Sequence, residues 1–122
     1  MSEHHKFNYI ELPGNDLAAM KTFYGTVFGW TFKDWGDAYV EILGGGVDGG
    51  FALAADGERQ PSNQGALVIL YSDDLVKSQE SVEANGGTIS MQPIDFPGGR
   101  RFHFLDPSGN ELGIWTKVEM AS

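Results

Sequence analysis

A strand–helix pattern that occurs twice places the strongest constraint on how this chain folds. In both copies an apolar, strand-like stretch leads into an Asp-Leu pair, and a helical stretch then ends in glycine. The pair is Asp16-Leu17 in the first copy and Asp74-Leu75 in the second. The terminal glycine, Gly29 or Gly87, follows the Asp by the same number of residues in both copies. A strand–helix unit duplicated within one small chain predicts two similar modules.

Local signals define both helices. Asp16 (or Asn15) and Asp74 are typical N-caps, because a short carboxylate or amide side chain accepts from the unpaired N–H groups of the first turn. Glycine supplies the left-handed residue that ends many helices. Apolar or alternating stretches predict the strands. They lie at 7–12, 31–35, 38–43 and 50–54 in the first copy, and at 66–71, 88–92, 101–105 and 111–116 in the second.

The predicted element order is therefore βαβββ twice. The chain has 122 residues and 41% hydrophobic residues, which suits one domain with a real core. We expect module one at 6–56, a polar linker at 57–64 and module two at 65–118. Each module alone leaves one sheet face uncovered, so two modules can enclose a shared space. The fold class expected is α+β, with a curved and mostly antiparallel sheet around a cleft.

Charge and composition limit the partners. The chain has 8 Lys and Arg against 17 Asp and Glu, a formal charge of −9, which disfavours nucleic acid and anionic membranes. It has no cysteine, so disulfides, thiolate metal ligands and a thiol nucleophile are excluded. A polar N-terminal segment without an apolar signal core favours a cytoplasmic protein. A small-molecule ligand is the partner expected.

Several of these motifs together resemble one family. The first half contains Asn15-Asp16-Leu17, Phe23-Tyr24 and Phe28-Gly29-Trp30. The second half contains Asn85-Gly86-Gly87 and the turn Asp106-Pro107-Ser108-Gly109-Asn110. The combination resembles the vicinal oxygen chelate (VOC) superfamily, also called the glyoxalase/bleomycin resistance/dioxygenase fold. The resemblance implies a homodimer in which the partner chain often helps to form the cleft.

The resemblance also implies four metal-ligand positions, typically His, Glu, His and Glu. In this sequence the corresponding residues are Tyr9, Leu67, Gly113 and Phe51 or a neighbour of Phe51. A divalent ion requires several nitrogen or oxygen donors, and a lone phenol does not supply them. We therefore expect no metal at the usual position and no cofactor.

Strand alternation predicts which residues line the cleft. Residues that share a face with the implied ligand positions include Ile69, Arg101 and Trp115. The full set expected to contact a ligand is Tyr9, Phe51, Leu67, Ile69, Arg101, Gly113 and Trp115. The aromatic members could form a box for a flat ligand, or could be ordinary core residues.

His103 and Glu11 are the candidates for catalysis. Histidine titrates near neutral pH, and with Arg101 it could polarise a carboxylate or an enolate. Glu11 could act as a base in an apolar cleft. The alternative for His103, which we favour, is a hydrogen-bonding role without catalysis, since the sequence fixes no acid–base partner for it. The alternative for Glu11 is a solvated strand residue.

Three functions follow from these observations. The first is a metal-free protein that binds or sequesters a small molecule in the cleft. The second is a lyase, isomerase or dioxygenase-type enzyme that acts through His103 and Glu11 or through an unconventional metal site. The third is a structural or regulatory domain with a vestigial cleft. Fold alone does not choose between them.

Overall fold

A computed structural model describes residues 4–117 of the chain. Within that range, eight strands and two helices follow one another in the order expected from the sequence. The first half contains β1 Tyr9–Gly14, α1 Leu17–Phe28, β2 Thr31–Asp34, β3 Tyr39–Leu43 and β4 Asp48–Leu53. The second half contains β5 Val68–Tyr71, α2 Leu75–Ala84, β6 Thr88–Phe96, β7 Gly99–Leu105 and β8 Glu111–Lys117. The prediction of two βαβββ modules is confirmed.

The strands form two four-stranded sheets with the same topology. The order is β1-β4-β3-β2 in module one and β5-β8-β7-β6 in module two. In each sheet the first strand pairs in parallel with the last, and the other two pairings are antiparallel. The chain divides into two compact units between Pro61 and Ser62, so each sheet lies within its own unit.

The helices begin and end where the local signals predict. The Asp16 carboxylate accepts from the Ala19 N–H at 3.0 Å, and that of Asp74 accepts from the Lys77 N–H at 3.1 Å. Gly29 ends α1 with a φ of 75°, the left-handed conformation that glycine adopts without strain. Within residues 4–117, neither helix is long and apolar enough to cross a membrane.

Each module buries one sheet face against its helix. In module one, α1 packs on β4, and the rings of Tyr24 and Phe51 lie 5.2 Å apart. In module two, α2 packs on β6, β7 and β8. The fully buried side chains of the two cores are Met20, Phe23, Tyr24 and Phe51 in module one, and Val82, Phe102, Phe104, Leu112 and Ile114 in module two. We call the sheet face turned away from the helix the distal face of that module.

Two strands run further than the sequence indicates. Strand β1 continues through Pro13 to Gly14, where a break was expected. It is an edge strand, and an edge position tolerates the missing N–H of proline. Strand β6 extends to Phe96 rather than ending at Gln92, and its pairing with β7 shifts register twice. An extra residue in one strand of an antiparallel pair is a β-bulge, and it changes which side chains share a face.

Candidate functional site

The distal face of module two carries most of the predicted site residues. Glu111, Gly113 and Trp115 alternate along β8 with the buried Leu112 and Ile114. The pairing register then sets their neighbours. His103 and Ile69 lie on either side of Gly113, and Arg101 lies beside Trp115. The pairing of β8 with β5 and with β7 thus places residues from three strands side by side on one face.

Gly113 makes room for its two neighbours. A Cβ at this position would lie 3.1 Å from Cδ2 of His103 and 3.4 Å from Cγ1 of Ile69. The His103 ring therefore lies against the backbone of β8, where a larger residue would crowd it. Gly113, predicted as a ligand contact, shapes the site by its lack of a side chain.

A chain of polar contacts crosses this face. Nη2 of Arg101 lies 2.8 Å from Nε2 of His103, and Nδ1 of His103 lies 3.4 Å from Oε2 of Glu111. Oγ of Ser90 donates to the same Glu111 oxygen at 2.7 Å. A guanidinium only donates and a carboxylate only accepts. Nε2 of His103 therefore accepts from Arg101, and Nδ1 carries the proton that faces Glu111.

Beside this chain lies a cavity of about 250 Å³. Its lining consists of Ile69, Phe96, Arg101 and Trp115. Nε of Arg101 is a buried donor that has no hydrogen-bond acceptor among residues 4–117. The site thus combines apolar walls with one guanidinium that retains an unused donor, and such a donor favours an anionic oxygen as its partner.

The distal face of module one holds Tyr9, Glu11 and Tyr39. The hydroxyl oxygens of Tyr9 and Tyr39 lie 2.6 Å apart. Burial, followed by the interactions of its hydroxyl with Tyr9 and Glu11, raises the pKa of Tyr39 well above its usual range. Tyr39 therefore keeps its proton at all physiological pH values. Glu11 itself is exposed.

Two predicted ligand contacts lie elsewhere. Phe51 is 0% exposed and packs against Tyr24 and Phe32 on the helix side of the sheet. This placement corrects its assignment to the cleft lining, because alternation along β4 puts Gly50, not Phe51, on the distal face beside Glu11. Leu67 is half-buried and lies one residue before β5.

Comparison with known proteins decides the family. The sequence profile of the Glyoxalase/Bleomycin resistance protein/Dioxygenase superfamily matches residues 6–114. The chain belongs to this superfamily. The VOC resemblance inferred from the motifs is thereby confirmed.

Curated relatives of this VOC protein are longer than it is. CFP32 of Mycobacterium bovis, named as a candidate glyoxylase, is 28% identical over 120 residues that cover 88% of this chain and 44% of CFP32. The anthracycline biosynthesis protein DnrV of Streptomyces peucetius is 28% identical in an alignment 136 positions long, which covers 92% of this chain and 47% of DnrV. The chain therefore spans about half the length of the curated relatives it matches.

Solved structures agree on the VOC fold. A glyoxalase-related enzyme from Fulvimarina pelagi superposes with a TM-score of 0.78 at 20% identity, covering 93% of this chain and 88% of the other. A family enzyme from Burkholderia phytofirmans PsJN gives a TM-score of 0.78 at 20% identity, covering 92% and 98%. Identities this low establish the fold alone.

The residues of this VOC protein do not fit the metal that some members of the superfamily use. Of the four implied ligand positions, only Tyr9 has a side-chain oxygen, and Leu67, Gly113 and Phe51 have no donor. Across residues 4–117, no group of three or more His, Asp or Glu side chains is arranged to hold a metal ion. The donor set thus argues against the usual site, and no step is derived through a metal.

Sequence reasoning missed three residues of these faces and one contact. Glu111 was recognisable by its phase with Gly113, but nothing pointed to its contact with His103. Ser90 and Phe96 reach the distal face of module two on the irregular strand β6, where simple alternation fails. Tyr39 leans across β4 above Gly50, an arrangement set by packing. No sequence signal marks the last three.

Proposed function

We propose that this VOC protein binds or sequesters a small, flat organic anion on the distal face of module two, without a metal ion. The observation that carries the proposal is Arg101. Its guanidinium lines an apolar cavity and retains a buried donor without an acceptor in the described chain. A carboxylate, phenolate or enolate oxygen in the cavity would accept a charge-assisted hydrogen bond from the Arg101 guanidinium.

The walls of the cavity favour a planar ligand body. Trp115 and Phe96 lie with ring centroids 6.1 Å apart, and Tyr71 meets Trp115 edge-on at 5.0 Å. Aromatic walls of this kind stack well on a flat ring. A volume of about 250 Å³ lies just below the usual range for ligand pockets, so a ligand of one or two rings is the size that fits.

An enzyme is the second candidate, as a lyase, isomerase or dioxygenase-type protein. The names of CFP32 and DnrV point in that direction. The imidazole also has a carboxylate neighbour, Glu111 in the same module, whereas the enzyme hypothesis from the sequence named Glu11 as the carboxylate. Against base catalysis by His103, its Nε2 lone pair already accepts from Arg101. We therefore favour binding and give His103 a positioning role.

The test is calorimetric titration with 2-naphthoate and with its uncharged analogue 2-naphthamide. The wild-type protein should bind naphthoate more tightly, and Arg101→Gln should reduce naphthoate affinity by about tenfold or more. Arg100→Gln is a matched control, since Arg100 is exposed and pairs with Asp95 at 2.7 Å. Equal binding of acid and amide, or an Arg101 variant that behaves like its Arg100 control, would overturn the proposal.

A homodimer and a cytoplasmic location complete the proposal. The homodimer is supported by the family resemblance, and the location is supported by the composition of the chain. Sedimentation of the purified protein tests the first, and fractionation of cells that express it tests the second.

A further inference from the structure

The residues that line the cavity of module two each come from a different strand. Ile69 lies on β5, Trp115 on β8, Arg101 on β7 and Phe96 on β6. The first three lie on strands that pair without a register shift between β5, β8 and β7. Phe96 is the exception, since it ends β6 beyond both register shifts and immediately before the turn Pro97-Gly98. One wall of the cavity is therefore placed by a hairpin end.

The distal face is narrow where His103 and Ile69 flank Gly113. A Cβ at Gly113 would lie within 3.4 Å of both side chains, so they lean together over its bare backbone. The Arg101 guanidinium reaches toward this narrow end, because its Nη2 lies 2.8 Å from Nε2 of His103. An anionic group bound to the guanidinium therefore lies near the narrow end. The space for the body of the ligand lies in the opposite direction, beside Trp115.

Phe96 stands at the other end of this space. It pairs with Gly99, which precedes His103 by four residues on β7, or about 13 Å along the strand. Strand β7 separates β6 from β8, so their backbones lie about 10 Å apart. The ring centroids of Phe96 and Trp115 nevertheless lie only 6.1 Å apart. The two rings therefore lean toward each other over β7, where Gly99 has no side chain to separate them.

We propose that Phe96 is the specificity-determining residue of the anion site and limits the planar body of its ligand to two fused rings. The inference rests on the function proposed above, because it takes the anionic group to lie at Arg101. The ring system then stacks on Trp115 and ends against the Phe96 ring. A third fused ring would collide with Phe96. A smaller residue at this position would admit it, since Gly99 presents no second barrier.

The experiment is calorimetric titration with benzoate, 2-naphthoate and anthracene-2-carboxylate, which share one carboxylate and differ in the number of rings. Wild type should bind 2-naphthoate most tightly and anthracene-2-carboxylate about tenfold more weakly or less, because the third ring overpacks the cavity. Phe96→Ala should reverse the order of these two acids. It removes an aromatic contact from 2-naphthoate, which costs affinity severalfold, and it makes room for the third ring. Phe7→Ala is the matched control, since Phe7 is 97% exposed, and it should keep the wild-type order.

The outcomes separate this inference from the proposed function. If wild type binds none of the three acids, the anion site is rejected and the role of Phe96 with it. If wild type binds 2-naphthoate but does not discriminate against the three-ring acid, or if Phe96→Ala keeps the wild-type order, only the role of Phe96 is rejected. Circular dichroism checks folding. If Phe96→Ala does not fold, Phe96→Leu, which removes the ring and keeps an apolar side chain, decides by the same criterion.

Discussion

The guanidinium of Arg101 donates to Nε2 of His103 across 2.8 Å. Because the lone pair of Nε2 accepts this hydrogen bond, His103 orients the Arg101 side chain. Glu111 faces the opposite nitrogen at 3.4 Å and fixes the tautomer. Arg101 is therefore already ordered at the cavity wall before a ligand binds. Binding then costs little side-chain conformational entropy.

Replacing His103 tests the positioning role. His103→Leu should reduce 2-naphthoate affinity by about tenfold, since Arg101 loses its acceptor and must be ordered on binding. His103→Gln keeps a side-chain acceptor and should restore most of that affinity. Calorimetry measures both. A leucine variant with wild-type affinity, or a glutamine variant no better than leucine, contradicts the role.

Gly113→Ala should disturb the His103–Arg101 contact from the neighbouring strand β8. The new methyl group would lie 3.1 Å from Cδ2 of His103. The imidazole ring must then move, which weakens its hydrogen bond with Arg101. We expect a severalfold loss of naphthoate affinity and a stability loss of about 1 kcal/mol. Gly25→Ala, whose Cβ would lie 3.4 Å from a Phe32 carbon in module one, serves as the control. Identical affinities of the two variants would show that the space at Gly113 is not needed.

Asp106 should contribute more to the free energy of unfolding than an exposed aspartate does. It is 4% exposed, and its Oδ1 accepts from the backbone N–H groups of Ser108, Gly109 and Asn110 at 2.9–3.0 Å. Asp106→Ala leaves buried donors unsatisfied and should cost about 3 kcal/mol in the free energy of unfolding. Asp95→Ala, which removes an exposed ion pair with Arg100, should cost under about 1 kcal/mol. Urea denaturation compares them, and equal losses would refute the argument.

Tyr39 should stabilise the fold less at high pH. Burial, followed by interactions with Tyr9 and Glu11, raises the pKa of Tyr39 in the folded state above the unfolded value of about 10. The stabilisation from a raised folded-state pKa is complete at pH values below the unfolded-state pKa. It is lost as the pH rises from the unfolded-state pKa toward the folded-state pKa. The stability advantage of wild type over Tyr39→Phe should therefore be constant near pH 8 and shrink by about pH 11. Urea denaturation at both pH values measures it, and an advantage that grows with pH would reverse the sign and reject the argument.

The donor set predicts the metal content of the purified protein. Tyr9, Phe51, Leu67 and Gly113 provide one oxygen between them at the positions the family uses, which cannot hold a divalent ion. Elemental analysis of protein prepared without chelators should show well under one metal per chain. Stoichiometric nickel, zinc or iron would contradict this expectation and revive the enzyme hypothesis.

Much of the fold was predictable because its signals are local. Asp16 and Asp74 start the helices through contacts only three residues away, and Gly29 ends α1 through its own backbone conformation. Alternation along regular strands also placed Ile69, Arg101 and Trp115 on one face, and the structure brings them to one cavity. These inferences needed no knowledge of which strands pair.

The remaining features depend on packing between distant residues. Alternation along β4 puts Gly50 and Phe51 on opposite faces, and Phe51 lies on the inner one because α1 covers that face. Ser90 reaches Glu111 because β6 bulges against β7, and bulges carry no clear sequence mark. The two βαβββ modules and the lack of metal donors at the implied ligand positions are readable in the amino-acid sequence, since both follow from residue type and spacing. The contacts of His103 with Arg101 and of Tyr39 with Tyr9 are not readable in this way, because they arise from strand register and from the space left above a glycine.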